Sequence, residues 1–324
     1  MPCVPICTRR SLPRGAAAVL SVAVVLGAAR LAPAQQQGQL FISALDQKGD
    51  PITDLGVDDL QVVIDDAACK VVKVEPVNRP MRLSLMVDNG PGLSPQLSNI
   101  RTGLKNFLDA IPPDVSIELL TIAPQPRFLE KYTTDRDKLV KAIDHLTPDS
   151  GTGLFFDALV EAGNRVDKEK SKEKSDALNV FVMMTSMLGR NDSAMDRDFT
   201  KLQKQVVQYG ITVHFILIDT GGQGAIGALG VLQTQIGTAL TKISRGRFES
   251  ILVTARLVTL LPELAKQIAE SDLRQTHQYR VVYEFPAGKD PKTAQKFQAS
   301  LSTKRVGANA MLSLDGHMPV GGTQ

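Results

Sequence analysis

The residues best placed to do chemistry lie in LSLMVDNGPGLS, residues 83–94, where an apolar run ends on Asp88 and is followed by Gly90, Gly92 and the pair Ser94-Pro95. A strand that ends on a carboxylate and passes through a glycine-containing loop into a helix is a common way for α/β proteins to build a phosphate or metal site at a sheet edge. Thr152, in DSGTGLFFDAL, and Ser186, in VMMTSMLGRNDS, fall in loops expected at the same edge. Three loops therefore converge on Asp88.

A second motif competes with the first. IDTGGQGAIGALG holds Gly222, Gly224 and Gly227 in the G-x-G-x-x-G spacing. A dinucleotide site needs those glycines in the tight turn directly between strand and helix, with an acidic residue about 20 positions further on. Here Asp219, Thr220 and Gly221 intervene, and Glu249, the next acidic residue, comes later than that. The favoured reading is a flexible loop before a helix carrying Leu232, Ile236 and Leu240; the alternative is a nucleotide-binding enzyme that uses the Gly222–Gly227 loop. His145, His214, His277 and His317 are scattered, with no G-x-S-x-G elbow and no histidine-carboxylate spacing suited to zinc. His214 is expected to point from a strand into packing or a hydrogen bond, and His145 to sit at a helix end. No catalytic residue is assigned, and no enzymatic activity is expected.

The elements that must position these residues fall into three pieces. Between residues 39 and 77, QLFISALD, DLQVVIDD and CKVVKVEP are short β-rich runs, the first two separated by the turn signal QKGDP. From residue 81 the pattern changes. LSLMVD, SIELLTI, NVFVMMT and TVHFILID are apolar enough to be parallel strands buried on both faces. Leu97, Ile100, Leu104, Phe107, Leu108 and Ile111 recur at helical spacing, as do Leu139, Ile143 and Leu146, and then Phe199, Leu202, Val206 and Tyr209. Ser94 and Pro95 read as N-cap and first turn of a helix, and Gly210 as the stop of a later one. The charge run DKEKSKEKSD, residues 167–176, reads as a solvated helix end and connector. From residue 275, HQYRVVYEFP and KFQASLST return to β character. The expected fold is α/β, a doubly wound, mainly parallel, Rossmann-like sheet with a small β-rich module formed by both flanks. The boundaries are 1–34 for an export signal, 35–80 for the N-terminal β module, 81–274 for the α/β domain and 275–324 for the C-terminal β segment, expected to pair with the N-terminal one.

The first 34 residues stand apart in composition. Arg9, Arg10 and Arg14 precede GAAAVLSVAVVLGAA, and APA before Gln35 offers the small residues a signal peptidase reads. The run is short for a membrane span, so a cleaved signal is favoured over an anchor, and membrane contact is expected only if that signal stays uncleaved. Removing its four arginines takes the formal charge of the chain from +3 to −1, which undercuts an electrostatic case for nucleic-acid binding. Cys3 and Cys7 leave with the signal, so Cys69 has no intramolecular disulfide partner and reads as a structural thiol.

With the modules ALDQKGDPITDLGVDDLQVVIDD, GTGLFFDAL and LPELAKQIAESDLRQTHQYRVVYEFP in this order, nearly the whole mature chain resembles the exported bacterial VWFA-related proteins, built on the von Willebrand factor type A fold. Domains of that kind commonly carry a metal-ion-dependent adhesion site written D-x-S-x-S, completed by a threonine and a second aspartate from later loops. Mg²⁺ demands near-octahedral oxygen ligands, which explains the hydroxyls and carboxylates. Carried over by position, Asp88 matches the first aspartate and Thr152 the threonine, whereas Gly90 and Gly92 stand at both serine positions and Ser186 at the second aspartate. The resemblance thus implies a degenerate site with no bound Mg²⁺. If a metal is retained, Asp88 and Thr152 are its ligands, with Asn89, Ser94 or Asp192 as the nearest substitutes. The function it implies is an exported, periplasmic or extracellular, non-enzymatic adhesion or scaffold domain that binds a protein partner. The alternative within the family is a metal-dependent adhesion protein with substituted ligands.

Overall fold

The computed structural model describes residues 37–77, 79–173, 175–188, 195–219, 228–286, 296–302 and 311–319. The proposed signal and the Gly222–Gly227 loop lie outside the described residues.

Alternation of apolar and polar side chains makes strands of the first three runs, β1 (Gln37–Leu45), β2 (Leu60–Ile64) and β3 (Ala67–Val77). The chain then enters the α/β region through β4 (Met81–Val87), α1 (Leu97–Ala110), β5 (Ser116–Thr121), β6 (Arg127–Thr133), α2 (Arg136–Asp144) and α3 (Phe155–Lys172). It continues through β7 (Leu178–Ser186), α4 (Met195–Tyr209), β8 (Thr212–Ile218), α5 (Ala228–Ser244), β9 (Phe248–Ile251) and α6 (Leu257–Thr276). Finally β10 (Gln278–Glu284), β11 (Phe297–Leu301) and β12 (Met311–Pro319) return to β structure.

The α/β sheet has the order β6-β5-β4-β7-β8-β9. The four apolar runs become β4, β5, β7 and β8, which pair in parallel, as β8 and β9 do; β6 alone is antiparallel, on the edge beside β5. Every residue of β7 is buried, as a strand covered on both faces must be. The pleat sends Met81, Leu83, Leu85 and Val87 of β4 into one core with α1, α2 and α6, and Met86 into a second core with α3, α4 and the buried residues of α5. Helices on both faces of a mainly parallel sheet are the doubly wound arrangement expected from the sequence.

Within the first core, Leu97, Ile100, Leu104, Phe107 and Leu108 form the buried stripe of α1, and Gly103 lets α6 approach closely. A Cβ at Gly103 would stand 2.8 Å from the Leu257 carbonyl oxygen. The start of α1 corrects the sequence reading. Ser94 and Pro95 lie in a short 3-10 turn, Ser94–Gln96, and the α-helix begins only at Leu97. The Ser94 hydroxyl donates to the Gly90 carbonyl at 2.9 Å instead of capping the helix. Gly210 follows α4 with φ +64°, the left-handed conformation glycine adopts without strain.

The flanks form one antiparallel sheet of order β11-β2-β3-β10-β1-β12, curled around Leu40, Ile42, Val62, Ile64, Val281 and Tyr283. Val77 at the end of β3 is registered with Gln278 at the start of β10. The α/β region is therefore inserted between two neighbouring strands, an arrangement that requires only that its own ends lie close together. The α6 helix runs on to Thr276, past the residue 274 boundary drawn from the sequence, and β12, for which no individual run was singled out, lies in the 275–324 segment expected to be β-rich and pairs with β1.

Candidate functional site

Asp88 follows β4 directly at the carboxyl edge of the sheet, and only 1% of its surface is exposed. Its Oδ1 accepts the Gly90 N–H at 2.8 Å. Its Oδ2 accepts the Ser186 hydroxyl at 2.8 Å, the Ser186 N–H at 3.1 Å and, more weakly, the Thr185 hydroxyl at 3.5 Å. Thr185 and Ser186 end β7, so the carboxylate stitches the loop after β4 to the strand beside it.

The glycines are packed into this stitch. A Cβ at Gly90 would lie 2.7 Å from the Gly151 carbonyl, and one at Gly92 would lie 2.7 Å from the Ser186 hydroxyl. At Gly153 it would lie 2.7 Å from the Asp88 carboxyl itself. Thr152 is thus held at the edge by the glycines on either side of it; it is half-buried and makes no hydrogen bond to Asp88.

Asn89, which the sequence reading treated only as a substitute ligand, is the second tie. Its amide donates to the Thr147 carbonyl at 2.9 Å and its Oδ1 accepts the Ala123 N–H at 3.3 Å. Its own carbonyl accepts the Asp149 N–H at 2.8 Å. Asp149 in turn accepts the Gly151 N–H at 3.0 Å and pairs with Arg127 at 2.7 Å. Those partners, the Gly151 N–H foremost, hold its carboxyl below the usual range. Across the edge, the buried Gln233 of α5 donates to the Met187 carbonyl at 3.1 Å. A side chain that bridges three loops leaves no local pattern, so a buried Asn beside the strand-end Asp was its only sequence signal.

The residues present do not fit the Mg²⁺ ion that adhesion sites of this kind commonly hold. Mg²⁺ needs oxygen ligands with lone pairs free toward a common centre. Here the Asp88 oxygens face protein donors, two hydroxyl positions are glycines pressed on backbone or on Ser186, and the hydroxyl at 186 donates to Asp88. Among the described residues no group of three or more His, Cys, Asp or Glu is arranged to hold a metal.

The other reactive side chains lie away from this edge or are chemically quiet. His214, near the start of β8, is buried and accepts the Arg247 N–H on Nδ1 at 3.1 Å. Burial first, and then the Arg247 charge, pushes it down to about 4. His145 follows α2 as its C-cap. Burial raises the half-buried Cys69 thiol, which disfavours the thiolate.

A neutral His214 in the fold has a consequence for pH. The unfolded chain takes up this proton near pH 6.5, whereas the folded chain resists it until about pH 4. The stabilising contribution is complete above pH 6.5 and is lost as the pH falls toward 4. Asp272, pushed up to about 6 by burial and then by Asp114, acts in the opposite sense, adding stability at low pH that is lost as the pH rises through 6. A comparison with His214→Asn, whose amide oxygen can still accept the Arg247 N–H, isolates the histidine. Urea unfolding from pH 7 to 4.5 is expected to show a shallower loss in the variant; parallel profiles would contradict a neutral buried imidazole.

Comparison with known families decides what the edge belongs to. The model of the von Willebrand factor type A domain matches residues 85–250, just over half of the chain, from within β4 to within β9. The chain belongs to the von Willebrand factor type A domain family. The family suggests a protein-interaction or adhesion module. Among solved structures, the von Willebrand A chain is similar to a von Willebrand factor type A protein from Catenulispora acidiphila at 11% identity, covering 89% of this chain and 74% of that one, with a TM-score of 0.48. It is similar to BatB from Bacteroides thetaiotaomicron at 10% identity, covering 59% and 99% of the two chains, with a TM-score of 0.43. The SpRpn10 VWA domain matches at 15% identity over 56% of this chain and 95% of its own, with a TM-score of 0.41. No curated protein matches the sequence.

Proposed function

We propose that the protein is an exported, non-enzymatic interaction module that recognises another protein through the carboxyl edge of its von Willebrand A sheet without a bound metal ion. The observation that carries this reading is that both oxygens of the Asp88 carboxylate accept hydrogen bonds from the protein's own loops, which makes this corner a structural joint. Beside that joint, Leu252 and Val253 follow β9 at the same edge and are 75% and 63% exposed. Thr254 donates to Gln96 at 2.8 Å and accepts from Asn99 at 3.1 Å, so the apolar pair is presented on a tethered turn. Apolar side chains held in solvent on an ordered edge suit a protein contact. The basic start, the apolar run and APA before Gln35 support export.

Crosslinking in the native cell tests the reading. Protein recovered from the envelope is expected to begin at Gln35 and to capture a partner equally with and without EDTA. Leu252→Asp with Val253→Asp is expected to abolish capture while leaving the melting temperature unchanged. Capture lost in EDTA and restored by Mg²⁺ would instead support metal-dependent adhesion through substituted ligands. An intact Met1 on the abundant form would remove export. A non-enzymatic chain should also show no rise in melting temperature with millimolar NAD or ATP, and saturable stabilisation abolished by Gly224→Val would favour the nucleotide-binding alternative.

A further inference from the structure

A cavity of about 460 Å³ opens at the amino edge of the α/β sheet, opposite the edge that carries Asp88, where the α/β region joins the β module. Pro76 and Val77 of β3 and Pro80 and Met81 at the start of β4 line it from one crossing, and His277, Gln278 and Tyr279 line it from the other. Val115, just before β5, adds to the apolar wall. The Tyr279 hydroxyl donates to the Ile52 carbonyl at 3.0 Å and accepts the Leu55 N–H at 3.3 Å, which holds the loop bearing Thr53 against the cavity. The remaining walls are acidic: Asp114 before β5 and the buried Asp272 near the end of α6.

The size falls within the range of small-molecule sites, and so does the lining, an apolar wall with a few convergent polar groups. We propose that this cavity binds a small organic cation, an amine or guanidinium carried on an apolar body. Val77, Pro80, Met81 and Val115 supply the apolar contact, and Asp114 and Asp272 accept the cationic head. Asp114 disfavours the charge on Asp272: burial and then Asp114 push Asp272 up to about 6, with His277 acting in the opposite direction. A bound cation relieves that repulsion. Arg136 acts on Asp114 and His277 on Asp272. Arg136 donates to the Pro112 and Val115 carbonyls on either side of Asp114, and the His277 Nδ1 lies 3.1 Å from the Leu273 carbonyl. The crossing strands and the end of α6 all border the cavity, so a ligand there would also fasten the inserted region to the β module. This inference does not depend on the reading of the Asp88 edge.

The test uses the full chain near pH 8 in low salt, with calorimetry on a charge series of one shape: benzylamine, benzyl alcohol and benzoate. Benzylamine is expected to bind saturably with a Kd on the order of 1 mM, as suits so small a probe. Benzyl alcohol should bind about tenfold more weakly, and benzoate not at all. Asp272→Asn keeps the side-chain shape, and it should weaken benzylamine about tenfold, as should Asp114→Asn. Absence of saturable benzylamine binding, equal affinity for all three probes, or affinity unchanged in both variants would each overturn the proposal. Should either variant fail to fold, the charge series on the natural chain decides.

Discussion

Replacing Glu118 with leucine while Arg165 remains is expected to lower the unfolding free energy by about 3–5 kcal/mol, the range for a buried ion pair broken from one side. Glu118 lies on β5 and is buried. Its Oε1 accepts the Arg165 guanidinium of α3 at 2.6 Å and the Ser84 hydroxyl of β4 at 2.6 Å. Tyr132 of β6 extends the network through Ser84 at 2.8 Å. Burial raises the carboxyl of Glu118 despite Arg165, so the pair is held together against a substantial desolvation penalty. The cost of the single change comes from what is left behind: a half-buried guanidinium and a buried hydroxyl facing methyl groups. Adding Arg165→Met should recover most of the loss, and a double-mutant cycle in urea measures the coupling. A loss below about 1 kcal/mol for Glu118→Leu alone would show that the pair behaves as a solvated surface bridge.

Asp88→Ala is expected to cost about 2–4 kcal/mol, equally in EDTA and in millimolar Mg²⁺. The carboxylate satisfies two backbone N–H groups and the Ser186 hydroxyl in a buried joint, and each buried donor left without a partner costs about 1–3 kcal/mol. Relief from desolvating the charge offsets part of this. Asp88→Asn should lose less, because its amide oxygen still satisfies one side of the joint. A ligand specific to the folded state must raise stability as its concentration rises above Kd. Saturable Mg²⁺ or Mn²⁺ binding by calorimetry that disappears in Asp88→Ala would therefore show a working metal site with substituted ligands. The triple change Gly90→Ser, Gly92→Ser and Ser186→Asp is not expected to build one. New Cβ atoms at positions 90 and 92 would stand 2.7 Å from the Gly151 carbonyl and from the position of the Ser186 hydroxyl, so the loops would have to move before any ligand set could form.

The parts of this fold that the sequence determined by itself are those with strong local patterns. LSLMVD, SIELLTI, NVFVMMT and TVHFILID are apolar on both faces of a strand, a requirement met in the middle of a parallel sheet covered by helices, and they became β4, β5, β7 and β8. The stripe from Leu97 to Leu108 likewise specifies the buried face of α1 before any neighbour is known. Asp88 could be placed at the end of its strand for the same reason.

The edge strands of the α/β sheet were not legible. RFLEKYT in β6 is largely polar and half-exposed, and FESI in β9 is four residues long, so neither carries a burial pattern of its own. Pairing with β5 and β8 makes them strands, and that pairing depends on a sheet already assembled. The chemistry of the candidate site was decided in the same way. Sequence placed Gly90, Gly92 and Ser186 at positions where the family has ligands, but only the tertiary structure brought the Ser186 hydroxyl onto Asp88 across 98 residues and pressed the Gly151 and Gly153 backbone against the loop after β4. Asn89 became a tie between three loops, and two acidic residues far apart in sequence came to border one cavity. Periodicity records which face of an element avoids water, because burial acts on each residue wherever its neighbours come from. The partner of a given polar atom depends on groups tens of residues away, and no local pattern encodes it.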